Sequence, residues 1–109
     1  MKPKAVGFLH REISGINQEA DEKALRDTAR RKHLDLARTF VPSSIVDNPA
    51  LRLTVILARV QADTIIVPDR THLGADGAVL NQTYRIIEVA HDLGEPKIWE
   101  PRTMLAGAR

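Results

Sequence analysis

The first apolar run of the chain, Ala5-Val6-Gly7-Phe8-Leu9, contains no charge, the pattern of a strand buried on both faces as in parallel sheets. From Gln18 to Lys32 no Gly or Pro intervenes, and Ala20, Ala24, Leu25, Thr28 and Ala29 recur at helical spacing, with Asn17 or Ser14 available to cap the start. Leu34 to Val41 alternates apolar and polar residues, which predicts a half-buried strand near a sheet edge, ended by Pro42. Asn48-Pro49 opens a second helix running to about Val60, because Asn caps well and proline needs no amide partner in a first turn. Thr64-Ile65-Ile66-Val67, between Asp63 and Pro68, is a β-branched third strand. Val79, Leu80, Thr83, Tyr84, Ile86, Ile87, Ala90 and Leu93 trace a third helical stripe that stops at the C-cap signal Gly94. Lys97-Ile98-Trp99 predicts a last strand, and the tail from Thr103 to Arg109 has no pattern.

The predicted order is β-α-β-α-β-α-β with short connections. Right-handed crossovers then place helices on both faces of a mainly parallel sheet of about four strands. The expectation is a three-layer α/β domain over residues 1–102 with a tail at 103–109, free of internal repeats or low-complexity tracts. In such sheets sites form where strands end and helices begin, so the loops to search are His10 to Asn17, Pro42 to Asn48 and Asp69 to Gly77.

Composition narrows the chemistry. A length of 109 residues with 43% hydrophobic and 28% charged residues suits one self-folding domain. The absence of cysteine removes disulfides, thiolate zinc sites and cysteine nucleophiles and makes a reducing cytoplasm the default compartment. Met1 to Leu9 is too short an apolar lead for a signal peptide or membrane span, so no membrane is expected. His10, His33, His72 and His91 show no HxxxH spacing, and neither GxGxxG nor a Walker-type loop occurs, so neither metal nor cofactor is expected. The formal charge is only +2, but Arg26, Arg30, Arg31, Lys32, His33 and Arg38 stand close together. Such a cluster serves either as a phosphate-binding patch or as a solvated helix face.

Two loops carry reactive groups. In His10-Arg11-Glu12-Ile13-Ser14-Gly15, Ser14 is placed either to cap the next helix or to meet a phosphate. The helix start after Gly15 can favour a small anion or nucleotide. Asp69-Arg70-Thr71-His72 supplies an acid, a guanidinium and an imidazole at the end of a buried strand, which suits phosphate or acid–base work. The following Asp76-Gly77 pair is equally at home in a purely structural turn. No complete catalytic set stands out.

Taken together, from Ala5 to Trp99 the chain resembles the N-terminal catalytic domain of the resolvase/invertase serine recombinases. Gly7-Phe8-Leu9-His10-Arg11-Glu12-Ile13-Ser14 followed by Gln18 is similar to the family's opening strand and its serine-to-glutamine spacing, with two extra residues before the serine. Asn48-Pro49-Ala50-Leu51 answers its R-P-x-L segment, Ala62-Asp63 its G-D, and Thr71-His72-Leu73-Gly74-Ala75 its D-R-L-x-R loop.

The resemblance implies Ser14 as a nucleophile for a DNA phosphodiester, with Arg11, Arg70 and His72 supplying charge. It also implies a resolvase-like fold and, in this family, a dimer. Asn48, His72 and Ala75 stand where the family places arginines, and neutral groups do not replace fixed positive charge at a phosphoryl centre, so the implied site is degenerate. The family's long helix and helix-turn-helix have no counterpart after Trp99. The expected role is a DNA-associated or protein-interaction module, homo-oligomeric, binding DNA weakly and without sequence preference. Gly15, Gln18, Arg26, Arg30, Arg31 and Lys32 are its candidate anion and DNA contacts. An active strand-transfer enzyme and a small-anion or nucleotide-binding domain are the rival expectations.

Overall fold

The computed structural model describes residues 2–89 and 95–101. Strands β1 (Lys4–Phe8), β2 (Asp35–Phe40), β3 (Thr64–Val67), β4 (Arg85–Glu88) and β5 (Lys97–Trp99) form one sheet in the order β2-β1-β3-β4-β5. The first four are mutually parallel, and β5 runs antiparallel to β4, pairing Ile86 with Trp99 and Glu88 with Lys97. Helices α1 (Arg11–Ser14), α2 (Gln18–Arg31), α3 (Pro49–Val60) and α4 (Gly77–Thr83) lie in the connections.

Alternation along each strand splits the core in two. Val6, Phe8, Ile65, Val67 and Ile86 pack with Leu53 and Leu57 of α3 and Leu80 of α4. Ala5, Ile66 and Ile87 pack instead with Leu25 and Ala29 of α2. Leu53 and Leu57, four residues apart and fully buried, show why α3 is a helix: its apolar stripe has a sheet to cover, and each such side chain contributes about 1.5–3 kcal/mol of burial. Gly7 lets Leu25 of α2 lie close against the sheet, since a Cβ there would stand 3.1 Å from both Leu25 Cδ1 and Thr39 Oγ1.

Helix ends follow local chemistry. Asn48 takes a left-handed conformation, φ 46°, and its side chain accepts the Leu51 N–H at 3.3 Å ahead of Pro49. After α2 the chain turns through His33, φ 57°, and the Leu34 N–H returns to the Ala29 carbonyl at 2.8 Å. β2 lies at the sheet edge and is half-buried, as its alternating sequence implies.

The third helical stripe requires correction. Only Gly77 to Thr83 is helical; Tyr84 leaves the helix and Arg85–Glu88 becomes a strand, giving five strands where about four were expected. Ile86 and Ile87 fit either period, and pairing decides between them: the Arg85 N–H bonds the Asp63 carbonyl at 3.0 Å and the Val89 N–H the Val67 carbonyl at 2.9 Å. Val79 of that stripe is 63% exposed. Asn81 fastens the turn, donating through Nδ2 to the carbonyls of Tyr84 and Trp99, each at 3.0 Å. Ala90, Leu93 and the Gly94 cap, with His91 and the tail from Thr103 to Arg109, lie outside the described residues. Among the described residues, no helix is long and apolar enough to cross a membrane.

Candidate functional site

Strand order reverses between β1 and β3, and the crevice at their carboxyl ends is where such sheets bind ligands. A cavity of about 240 Å³ opens there, with Phe8, Ile13 and Leu80 as apolar walls and His10, Thr71 and His72 as polar ones. His72 is buried, and its Nδ1 accepts the backbone N–H of His10 at 2.9 Å, which leaves the proton of the neutral ring on Nε2. Burial holds the His72 pKa below the ordinary 6.5; Asp21 and Asp69 oppose that shift and His10 adds to it. Nδ1 of His10 is itself buried without a hydrogen-bond partner among the described residues, 3.6 Å from Oε1 of Glu12. The same Glu12 oxygen accepts the Ser44 N–H at 2.7 Å, tying the first search loop to the second.

Ser14 is buried but neither caps a helix nor lines this cavity. Its hydroxyl donates to Oδ2 of Asp21 at 2.6 Å, and α2 starts at Asn17 without a side-chain cap, so the cap reading of both residues is overturned. The cause is local: the 3-10 turn Gly15–Asn17 folds the start of α2 back over α1, bringing Asp21 to Ser14. Chemically the pair is hostile to a phosphodiester. A carboxylate within about 4 Å of a second negative charge costs about 4 kcal/mol at an effective dielectric of about 20.

The other candidates separate. Arg11 is exposed, with its backbone N–H on the Pro42 carbonyl at 2.9 Å. Arg70 lies over the Trp99 ring, 4.4 Å from its centroid, and neither arginine lines the cavity. Asn48 is a helix cap and Ala75 an exposed methyl, so no guanidinium reaches the serine from the positions matched to the family's arginines. Gly15 is exposed with φ +56°, Gln18 donates to Glu22 at 3.0 Å, and Glu19 and Asp21 already occupy the first turn of α2 with negative charge, which disfavours an anion there.

The basic cluster also divides. Arg31 and Lys32 approach Glu95 at 3.6 and 3.9 Å, whereas Arg26 and Arg30 face a concavity at the opposite end of the sheet with Lys2 and Lys4. Asp21, Glu12, Lys2 and Lys4 were absent from the sequence-derived candidates. The lysines had a signal: a parallel crossover returns the end of its helix to the start of the strands, beside the residues preceding β1. Among the described residues no cluster of His, Asp and Glu is placed to hold a metal ion. Compared with known proteins, the chain matches no family model, no curated protein and no solved structure.

Proposed function

We propose that this chain is a serine-recombinase-like (resolvase-like) domain with a degenerate active site, acting as a DNA-associated module. Two cores packed against alternate sides of a mainly parallel sheet support the three-layer arrangement of that reading. The observation that carries the degenerate site is the partner of Ser14: its hydroxyl is held by the Asp21 carboxylate at 2.6 Å, and among the described residues no arginine bonds it. A phosphoserine mechanism needs positive charge around the transferring phosphoryl group. Here the nearest group is an anion, and the imidazole of His72 is kept neutral by burial. What remains for DNA is attraction through cations, which gives weak binding that does not depend on base sequence.

The test is a covalent-adduct assay with suicide duplexes of randomised sequence, resolved on a denaturing gel. The expected result is no protein–DNA adduct from the wild type. An adduct that disappears in Ser14→Ala would overturn the degenerate reading.

A further inference from the structure

The Lys2, Lys4, Arg26 and Arg30 side chains line a concavity of about 520 Å³ between α2 and the amino ends of β1 and β2, with Leu34 and Leu36 as apolar lining and Asp35 the one acid among the described residues that line it. The side chains of Lys2, Lys4 and Arg26 make no hydrogen bond or ion pair among the described residues, although Arg26 lies near enough to Asp27 to help hold its pKa down. Arg30 reaches Asp27 only at 3.7 Å, and Asp27 is already held by Lys23 at 2.8 Å. Four cations thus converge from two separate stretches of sequence against one carboxylate. Arg31 and Lys32, adjacent in sequence, instead share one exposed carboxylate, that of Glu95, at 3.6 and 3.9 Å.

The fold produces this convergence. Arg26 and Arg30 are one turn apart on α2, so they share a face, and the crossover brings that face to the start of β1. The rim offers N–H donors with no aromatic ring to stack on a base, which suits a phosphate backbone read by charge alone. The five residues of β1, about 16 Å, separate the concavity from the crevice, so a backbone held here does not reach Ser14.

We infer that this concavity, at the end of the sheet opposite Ser14, binds the phosphodiester backbone of duplex DNA without reading its sequence. The inference rests on the DNA-associated reading above and assigns its contact surface. Lys2, Lys4, Arg26 and Arg30 make the phosphate contacts, and Arg31 and Lys32 do not.

The experiment is fluorescence anisotropy of a labelled random duplex with the full chain, titrated at several salt concentrations. Four contacts at about 0.9 each give a slope of about −3 to −4 in log affinity against log salt. The variant Lys4→Ala/Arg26→Ala/Arg30→Ala, shown to be folded by circular dichroism, should bind at least tenfold more weakly with a slope near −1. Arg31→Ala/Lys32→Ala should keep the wild-type slope. If the triple variant binds like the wild type, or both variants lose affinity equally, the surface is overturned while DNA association stands. If the wild type fails to bind even at low salt, the DNA-associated reading falls with it. Polyglutamate competing as well as DNA at equal charge would replace the nucleic acid with an acidic polypeptide.

Discussion

The backbone amide of His10 donates to Nδ1 of His72 at 2.9 Å, bridging a sequence separation of 62 and tying together the two loops that line the crevice between β1 and β3. This bond needs an imidazole with a free Nδ1 lone pair. Protonation of that nitrogen would set two N–H groups against each other, so the contact and the desolvation of the ring act in the same direction.

A pH dependence of stability follows. The folded His72 has a pKa below 6.5, so below that pH the unfolded chain binds more protons than the folded one. The contribution of His72 is therefore fully present above about pH 6.5 and is lost as the pH falls, at no more than about 1.4 kcal/mol per pH unit. Urea midpoints at pH 7.5 and pH 5 should show this, and His72→Gln should flatten the difference. An NMR titration that puts the His72 ring at or above the ordinary histidine range would contradict the assignment.

Ser14→Ala should destabilise the fold by about 1–2 kcal/mol, because it removes a charge-assisted hydrogen bond and leaves Asp21 short of a donor. Asp21→Asn keeps an acceptor for the hydroxyl and should cost less. Chemical denaturation of both variants decides the matter; equal stability of Ser14→Ala and wild type would mean the bond contributes nothing.

Gly7→Val should cost about 1–3 kcal/mol, since Leu25 and Thr39 already stand 3.1 Å from where a Cβ would sit. Gly15→Ala meets no atom within 4 Å yet should still cost about 1–3 kcal/mol, because φ 56° with ψ −127° lies outside even the left-handed helical region. Thermal melts separate the two causes: making room beside Gly7 with Leu25→Ala should partly rescue Gly7→Val and leave Gly15→Ala unaffected.

At Asn48 the cap and the left-handed backbone predict an ordering. Asn48→Gly should lose only a few tenths of a kcal/mol relative to wild type, whereas Asn48→Ala should lose about 2, from the lost cap and the strained φ of 46° together. Identical stabilities for the two variants would count against a role for the conformation of Asn48.

Much of the scaffold was legible in the sequence because its signals were local. Asn48-Pro49 started α3 as written, the unbroken stretch from Gln18 gave α2, and the mixed apolar and polar positions of Leu34 to Val41 gave a half-buried strand, whose place at the edge the strand pairing decides. β4 was not legible, because Ile86 and Ile87 satisfy helical and strand periods alike and only pairing with Ile65 and Ile66 of β3 distinguishes them. The site was harder to read. Ser14 before a helix looks like a cap, and nothing in the spacing to Asp21 reveals that a 3-10 turn brings the two together. The basic cluster read as one patch became two, because neighbours on a helix point in different directions and Glu95, far along the chain, meets one side.

The antiparallel closing strand has a consequence for how the protein keeps to itself. At one margin of the sheet β2 presents the exposed charges Asp35 and Arg38, which discourage another strand from adding on. At the other margin the edge strand is β5, three residues long and opened by the exposed charge of Lys97; among the described residues it alone covers the outer hydrogen-bonding groups of β4, which carries Ile86 and Ile87. That short cover is fastened by Trp99, whose indole donates to Glu88 at 2.7 Å beneath Arg70. Freeing those three residues would bare the outer edge of β4, so the contacts of Trp99 with Glu88, Asn81 and Arg70 also keep a second chain from adding a strand there.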